Sequence, residues 1–296
     1  MFRSLRTFLE LIRFSHTIFA LPFALTSAAL AWRLTGRFDW LEFVGILACL
    51  VFARSAAMGF NRLADRHIDA LNPRTAGRHL PAGLVSVPAV VAFTLFSAVG
   101  FVGSTTLFLL HDNPWPVYLS LPVLAFLCAY SYTKRFTILA HFWLGVSLLL
   151  APVSAWIAIR GLPGWPEAEV PLLLGGAVLF WVAGFDILYA CQDAAFDKKA
   201  HLKSVPAAIG VARSLRIAAA CHLVMLGLLI LLGQACDQLG WIYHSGVAAV
   251  AVLLAWEHWI VRPDDLSRVN QAFFQVNGII SVGLFVLVLV QLAVGV

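Results

Sequence analysis

The chain has 296 residues, 61% hydrophobic and only 12% charged, with a mean hydropathy of +0.89. A soluble domain carries about twice that charge, ~25%, and a membrane β-barrel shows short alternating strands rather than long apolar runs. Both are excluded. The net charge of +5 would suggest nucleic acid in a soluble protein; here the basic residues lie between apolar runs, where they report topology, and no nucleic-acid partner is expected.

Apolar runs of spanning length fall at 16–34, 41–60, 85–109, 115–131, 136–159, 170–190, 213–233, 240–260 and 277–296. About 20 residues at 1.5 Å rise cross a bilayer. The expected fold is therefore an all-α integral membrane protein with nine transmembrane helices. The run at 115–131 is the least regular, being short and holding Pro116 and Pro122. No small-residue cleavage site closes the first run, so it is expected to stay as a helix. Cys49, Cys128, Cys191, Cys221 and Cys236 are scattered through apolar segments without a CxxC pair and read as small core residues.

Of the 20 lysines and arginines, sixteen fall in segments on the N-terminal side of the membrane. These include Arg3, Arg6, Arg13, Arg62, Arg66, Arg74, Arg78, Lys134, Arg135 and Lys198. Only Arg33, Arg37 and Arg160 fall on the other side, and Arg54 lies within a span. The positive-inside rule then places the N-terminus in the cytoplasm and the C-terminus outside. The domain reading is one polytopic unit over 1–296, with possible halves 1–131 and 136–296.

The second run ends in "NRLADRHIDALNPRTAGRHLPAG". Asn61, Asp65 and Asp69 stand at i, i+4 and i+8, one face of a helix that continues past the membrane surface. Two ionised carboxylates on one face repel unless a cation lies between them. Hard oxygen donors beside an amide suit Mg²⁺, an ion often shared with phosphate oxygens. A solvated loop with i, i+4 charge pairs is the plainer alternative.

The sixth run ends in "FDILYACQDAAFDKKAHLKSVPAAIG". Asp186, Tyr189, Asp193 and Asp197 are spaced three, four and four, again one helical stripe, and Asp186 falls inside the span, where an acid marks function. Asp193 and Asp197 repeat Asp65 and Asp69 at an offset of 128 residues. Lys198, Lys199 and Lys203 follow at once. Four carboxylates flanked by cations suit a diphosphate bridged by Mg²⁺. "YSYTKR", Tyr130 to Arg135, offers Lys134 and Arg135 to phosphate, or anchors the helix end. Arg54, seven residues before Asn61, calls for an anionic partner, either Asp186 or a substrate carboxylate. His16, His79, His141, His201 and His258 lack metal-type spacing and read as ordinary polar residues.

"NRLADRHID" fits NRxxDxxxD and "YACQDAAFD" fits YxxxDxxxD. Together they resemble the UbiA superfamily of intramembrane prenyltransferases, over almost the whole chain. "NPRTAGRHLPAG", "YSYTKR" and "FWLGVSLLLAPVSAWIAIRG" look most like the 4-hydroxybenzoate polyprenyltransferase branch, or the related enzymes of a futalosine route to menaquinone. The resemblance implies a UbiA-type bundle in a bacterial inner membrane, Mg²⁺ as cofactor, and a polyprenyl diphosphate and a small aromatic acid as substrates. It implies metal contacts from Asn61, Asp65, Asp69, Asp193 and Asp197, and phosphate contacts from Arg66, Lys134 and Arg135. Arg54 would face the acceptor carboxylate, Tyr189 and Asp186 would line the aromatic pocket, and Asp65 or Asp186 would take the ring proton. Lys198 and Tyr130 complete the expected substrate contacts. The tail "NQAFFQVNGIISVG" is expected as an interfacial belt rather than a pocket wall. A secondary transporter is the rival class; transporter sites sit near the midplane, whereas these acids cluster at one face.

Overall fold

The computed structural model describes residues 19–295. The expected start of the first span at 16, and Arg3, Arg6, Arg13 and His16, lie outside them. The described residues form helices and no strand; a single bridge joins Arg262 and Asp265. The longer helices are α1 (Leu21–Thr35), α2 (Trp40–Leu71), α3 (Val87–Thr105), α4 (Trp115–Phe136), α5 (Ala140–Arg160) and α6 (Glu169–Ala190). Two short helices follow, α7 (Ala194–Lys199) and α8 (Val205–Ile209), then α9 (Val211–Ala235) and α10 (Trp241–Ile260). The chain closes with α11 (Val269–Gln271), a π-turn at Ala272–Val276, and α12 (Asn277–Val294). Among the described residues, seven helical stretches are long and apolar enough to cross a membrane: Trp40–Leu71, Val87–His111, Trp115–Phe136, Ala140–Arg160, Glu169–Lys199, Val211–Ala235 and Val269–Val294. The chain is an integral membrane protein.

Local sequence sets the helix ends. Ser86 caps α3, its hydroxyl accepting from the Ala89 amide with a proline in the first turn, and Ser204 caps α8 in the same way. Each cap satisfies an amide that the first helical turn leaves without a carbonyl. Pro122 sits inside α4 without ending it. α4 continues to Phe136, beyond the expected end at 131, so Lys134 and Arg135 stand in its last helical turn, where cations complement the helix dipole.

The chain folds as two compact units. The first spans Trp40–Tyr132, where α2 packs on α3. The 32 residues of α2 extend about 48 Å at 1.5 Å per residue, against ~30 Å of bilayer hydrocarbon. The surplus is the charged last three turns.

The second unit holds 19–39 and 133–295. Here α6 is the central helix, packed by α5 and α9. Between lipid-embedded helices the hydrophobic effect gives little, so close packing and buried hydrogen bonds hold the helices together. At Gly145 of α5 an added Cβ would lie 2.5 Å from the Leu179 carbonyl oxygen, so only glycine admits that approach of α6. Ser27 Oγ donates to the Pro152 carbonyl at 2.7 Å, tying α1 to α5. Trp181 Nε1 donates to Asn277 Oδ1 at 2.6 Å, and Asn277 Nδ2 donates to Glu257 Oε1 at 2.9 Å. These bonds join α6, α12 and α10. The five cysteines are free thiols, with Cys191, Cys221 and Cys236 buried.

Candidate active site

In the first unit, helical backbone runs through Asn61, Asp65 and Asp69, as the spacing predicted. Asn61 Nδ2 donates to Asp65 Oδ2 at 2.8 Å and lies 3.4 Å from Ser131 Oγ of α4. An amide and a carboxylate thus converge one turn apart. Arg54 lies two turns earlier on α2 and is half-buried. Tyr130 is half-buried in α4.

Asp69 is differently placed. It is buried, and both its oxygens accept from Arg78 Nη1 at 2.7 Å. Arg62, also buried, stands 3.9 Å from Asp69 Oδ2. The Asp69 carbonyl accepts from Thr75 Oγ1 at 3.0 Å. The acid therefore pins the loop after α2 as well as facing two cations. Arg66, one of the expected phosphate contacts, is exposed and folds back on its own helix, donating to the Leu63 carbonyl at 3.0 Å.

In the second unit, Asp186 and Tyr189 lie on α6, but the expected single stripe is broken. A 3₁₀ turn at Cys191–Asp193 intervenes, and Asp197 belongs to α7. The tighter turn changes the rotation per residue, so the four residues do not share one α-helical face. Asp193 and Asp197 are both buried. Lys134 Nζ donates to Asp197 Oδ2 at 3.2 Å. Arg135 and Lys198 are exposed. Lys203 stitches its loop to the end of α4: its amide donates to the Lys134 carbonyl at 2.6 Å and its Nζ to the Phe136 carbonyl at 3.1 Å.

Asp186 has a partner that sequence reasoning passed over. His141 is fully buried, and its Nδ1 lies 2.7 Å from Asp186 Oδ2. The pair is separated by 45 residues, so no local motif announces it. Tyr189 stacks on Phe273 with ring centroids 4.4 Å apart. Phe273 is buried at the π-turn, so this part of the tail is interior and not the expected belt; Phe274 beside it is 36% exposed.

The donor set suits a hard divalent ion. It is oxygen-rich, and among the described residues no three His, Cys, Asp or Glu side chains gather into a closed cluster. A structural zinc site would need a full protein cage. Mg²⁺ binds through one or two carboxylates and completes its shell with water and phosphate oxygens. The Asn61–Asp65 pair and the buried Asp193 and Asp197 are oxygen donors of that kind.

The profile of the UbiA prenyltransferase family matches residues 20–279. The chain is 34% identical to a 4-hydroxybenzoate octaprenyltransferase of Pseudomonas entomophila over 228 residues, covering 76% of this chain and 72% of that one. It is 30% identical to the enzyme of that name from Aromatoleum aromaticum over 277 residues, covering 91% and 89%. Among solved structures, an apo UbiA homologue of Aeropyrum pernix K1 superposes with a TM-score of 0.78 at 29% identity, over 94% of this chain and 97% of that one. A UbiA homologue of Archaeoglobus fulgidus, solved with DMAPP and Mg²⁺, shares the fold with a TM-score of 0.70 at 20% identity, over 97% and 99%.

Proposed function

Since the chain belongs to the UbiA prenyltransferase family and is a prenyltransferase, we propose that it moves a polyprenyl group from a polyprenyl diphosphate to a ring carbon of 4-hydroxybenzoate, in ubiquinone synthesis. The observation that carries this reading is the two acidic sets, Asn61–Asp65–Asp69 and Asp193–Asp197, each with an arginine or lysine already on its second aspartate. The relatives named 4-hydroxybenzoate octaprenyltransferase support the acceptor. The full reading is a single polytopic domain of nine spanning helices, N-terminus in the cytoplasm and C-terminus outside. It lies in a bacterial inner membrane with its site open to the cytoplasm.

Mg²⁺, when bound, supplies the positive charge against which diphosphate departs. Asn61 and Asp65 would hold one ion, with Asp69 joining them once Arg78 turns to a phosphate oxygen, and Asp193 and Asp197 would hold another. Arg66, Lys134, Arg135 and Lys198 neutralise the remaining phosphate charge. Lys134 does so by exchanging Asp197 for phosphate. The C–O bond breaks heterolytically, and the helices exclude water from the allylic cation. Arg54 grips the acceptor carboxylate and so orients the ring, which attacks through the carbon ortho to its hydroxyl. Tyr189 lines the acceptor pocket, Tyr130 is a further substrate contact, and Asp65 or Asp186 accepts the ring proton.

The test is prenyl transfer in washed membranes carrying this chain, given polyprenyl diphosphate, Mg²⁺ and either 4-hydroxybenzoate or 1,4-dihydroxy-6-naphthoate. Prenylated benzoate is the expected product. Product from the naphthoate alone would move the protein to menaquinone synthesis.

A further inference from the structure

We propose that His141 is a positioning residue that presents Asp186 as the base for the ring proton, its imidazole locked as the Nδ1–H tautomer by the Val205 amide. The inference rests on the prenyl-transfer reading above and adds to it a residue and a choice of base.

The tautomer follows from donor and acceptor chemistry. The Val205 N–H lies 3.3 Å from His141 Nε2. A peptide N–H can only donate, so Nε2 must hold a lone pair. The neutral ring then carries its proton on Nδ1, which lies 2.7 Å from Asp186 Oδ2 and donates to it. A second proton on the ring would set Nε2–H against the Val205 N–H, in a side chain with no exposure to water.

The carboxylate is held at one end and open at the other. Among the described residues, His141 is its one hydrogen-bond partner, and the Asp186 side chain is 17% exposed. Oδ2 is fixed and Oδ1 is left for substrate. After the new C–C bond forms, the C–H bond at the substituted ring carbon breaks. Its electron pair restores the aromatic ring, and the proton bonds to Asp186 Oδ1. The carboxylic acid so formed gives its proton to water once product has left. The lock belongs to the stitched loop: Val205 starts α8, two residues after Lys203, whose amide holds the Lys134 carbonyl. The residue that fixes the base is thus backed by the loop after Asp197, which is tied to the helix end that carries Lys134.

The experiment measures steady-state transfer to 4-hydroxybenzoate, and to the same acid deuterated ortho to its hydroxyl, with wild-type, His141→Leu and His141→Gln protein in membranes. For His141→Leu, kcat should fall ~100-fold, the size of a general-base contribution, with the KM for polyprenyl diphosphate unchanged. A primary deuterium isotope effect absent from the wild type should appear. His141→Gln, whose amide can both donate to Asp186 and accept from Val205, should recover most of the rate. Wild-type turnover in His141→Leu would overturn the proposal. So would a loss with no isotope effect and no recovery in the glutamine variant, since a misfolded fraction lowers yield without exposing the proton step. Silence of the wild type towards every aromatic acid would instead overturn the function reading, and the two failures appear in different proteins.

Discussion

Arg78 Nη1 lies 2.7 Å from both carboxylate oxygens of Asp69, nine residues before it in the chain. The aspartate is buried, and its other cation, Arg62, stands at 3.9 Å. Arg78 is therefore the main neutralising charge on an acid that also anchors the loop after α2.

Replacing Arg78 with Met leaves that carboxylate buried with only the more distant arginine. Losing charged hydrogen bonds at a mostly buried acid costs about 2–3 kcal/mol. Thermal unfolding in detergent should show the loss. On the exchange proposed above, the KM for polyprenyl diphosphate should also rise, because the variant has no guanidinium to pass to phosphate.

Arg54→Ala tests acceptor recognition. A bidentate guanidinium–carboxylate contact is worth about 1.5–3 kcal/mol, so the KM for 4-hydroxybenzoate should rise roughly tenfold to a hundredfold while the KM for the diphosphate holds. Equal loss for both substrates would argue that Arg54 supports the fold instead.

Much of this was legible in the sequence, and what was missed shares a cause. The apolar run leading straight into Asn61, Asp65 and Asp69 predicted that α2 continues through its charged end, and it does. The backbone after Tyr189 was not predictable from spacing, because the 3₁₀ turn at Cys191–Asp193 is a three-residue departure inside a helical pattern. His141 and Arg78 find their acids across 45 and 9 residues. Those separations carry no helical period, so only tertiary structure pairs them. Phe273 shows the same limit: an aromatic at a predicted membrane border, it lies buried on Tyr189 through a π-turn.

Asn277→Leu tests what holds the second unit together. The amide links Trp181 and Glu257, and the variant leaves the indole N–H and the Glu257 carboxyl group, both buried, without it. Each stranded buried group costs about 1–3 kcal/mol. The variant should unfold earlier in detergent, and His141→Gln, which keeps its own contacts, should not.

Topology is checked by reporter fusions. Sixteen basic residues on one side predict a cytoplasmic N-terminus, and an odd number of crossings puts the C-terminus outside. A reporter that works only outside the cytoplasm should be active when fused after the end of α12 and silent when fused after Leu71. Activity at both sites would contradict the nine-span arrangement.

The most direct test of the central claim compares purified wild type with an Asp65→Asn/Asp193→Asn variant. The two would be supplied with polyprenyl diphosphate, 4-hydroxybenzoate and Mg²⁺, with product read by mass. The account predicts prenylated 4-hydroxybenzoate from the wild type, its loss on adding EDTA, and none from a variant that still folds. Undiminished product from the variant, or product indifferent to EDTA, would contradict it.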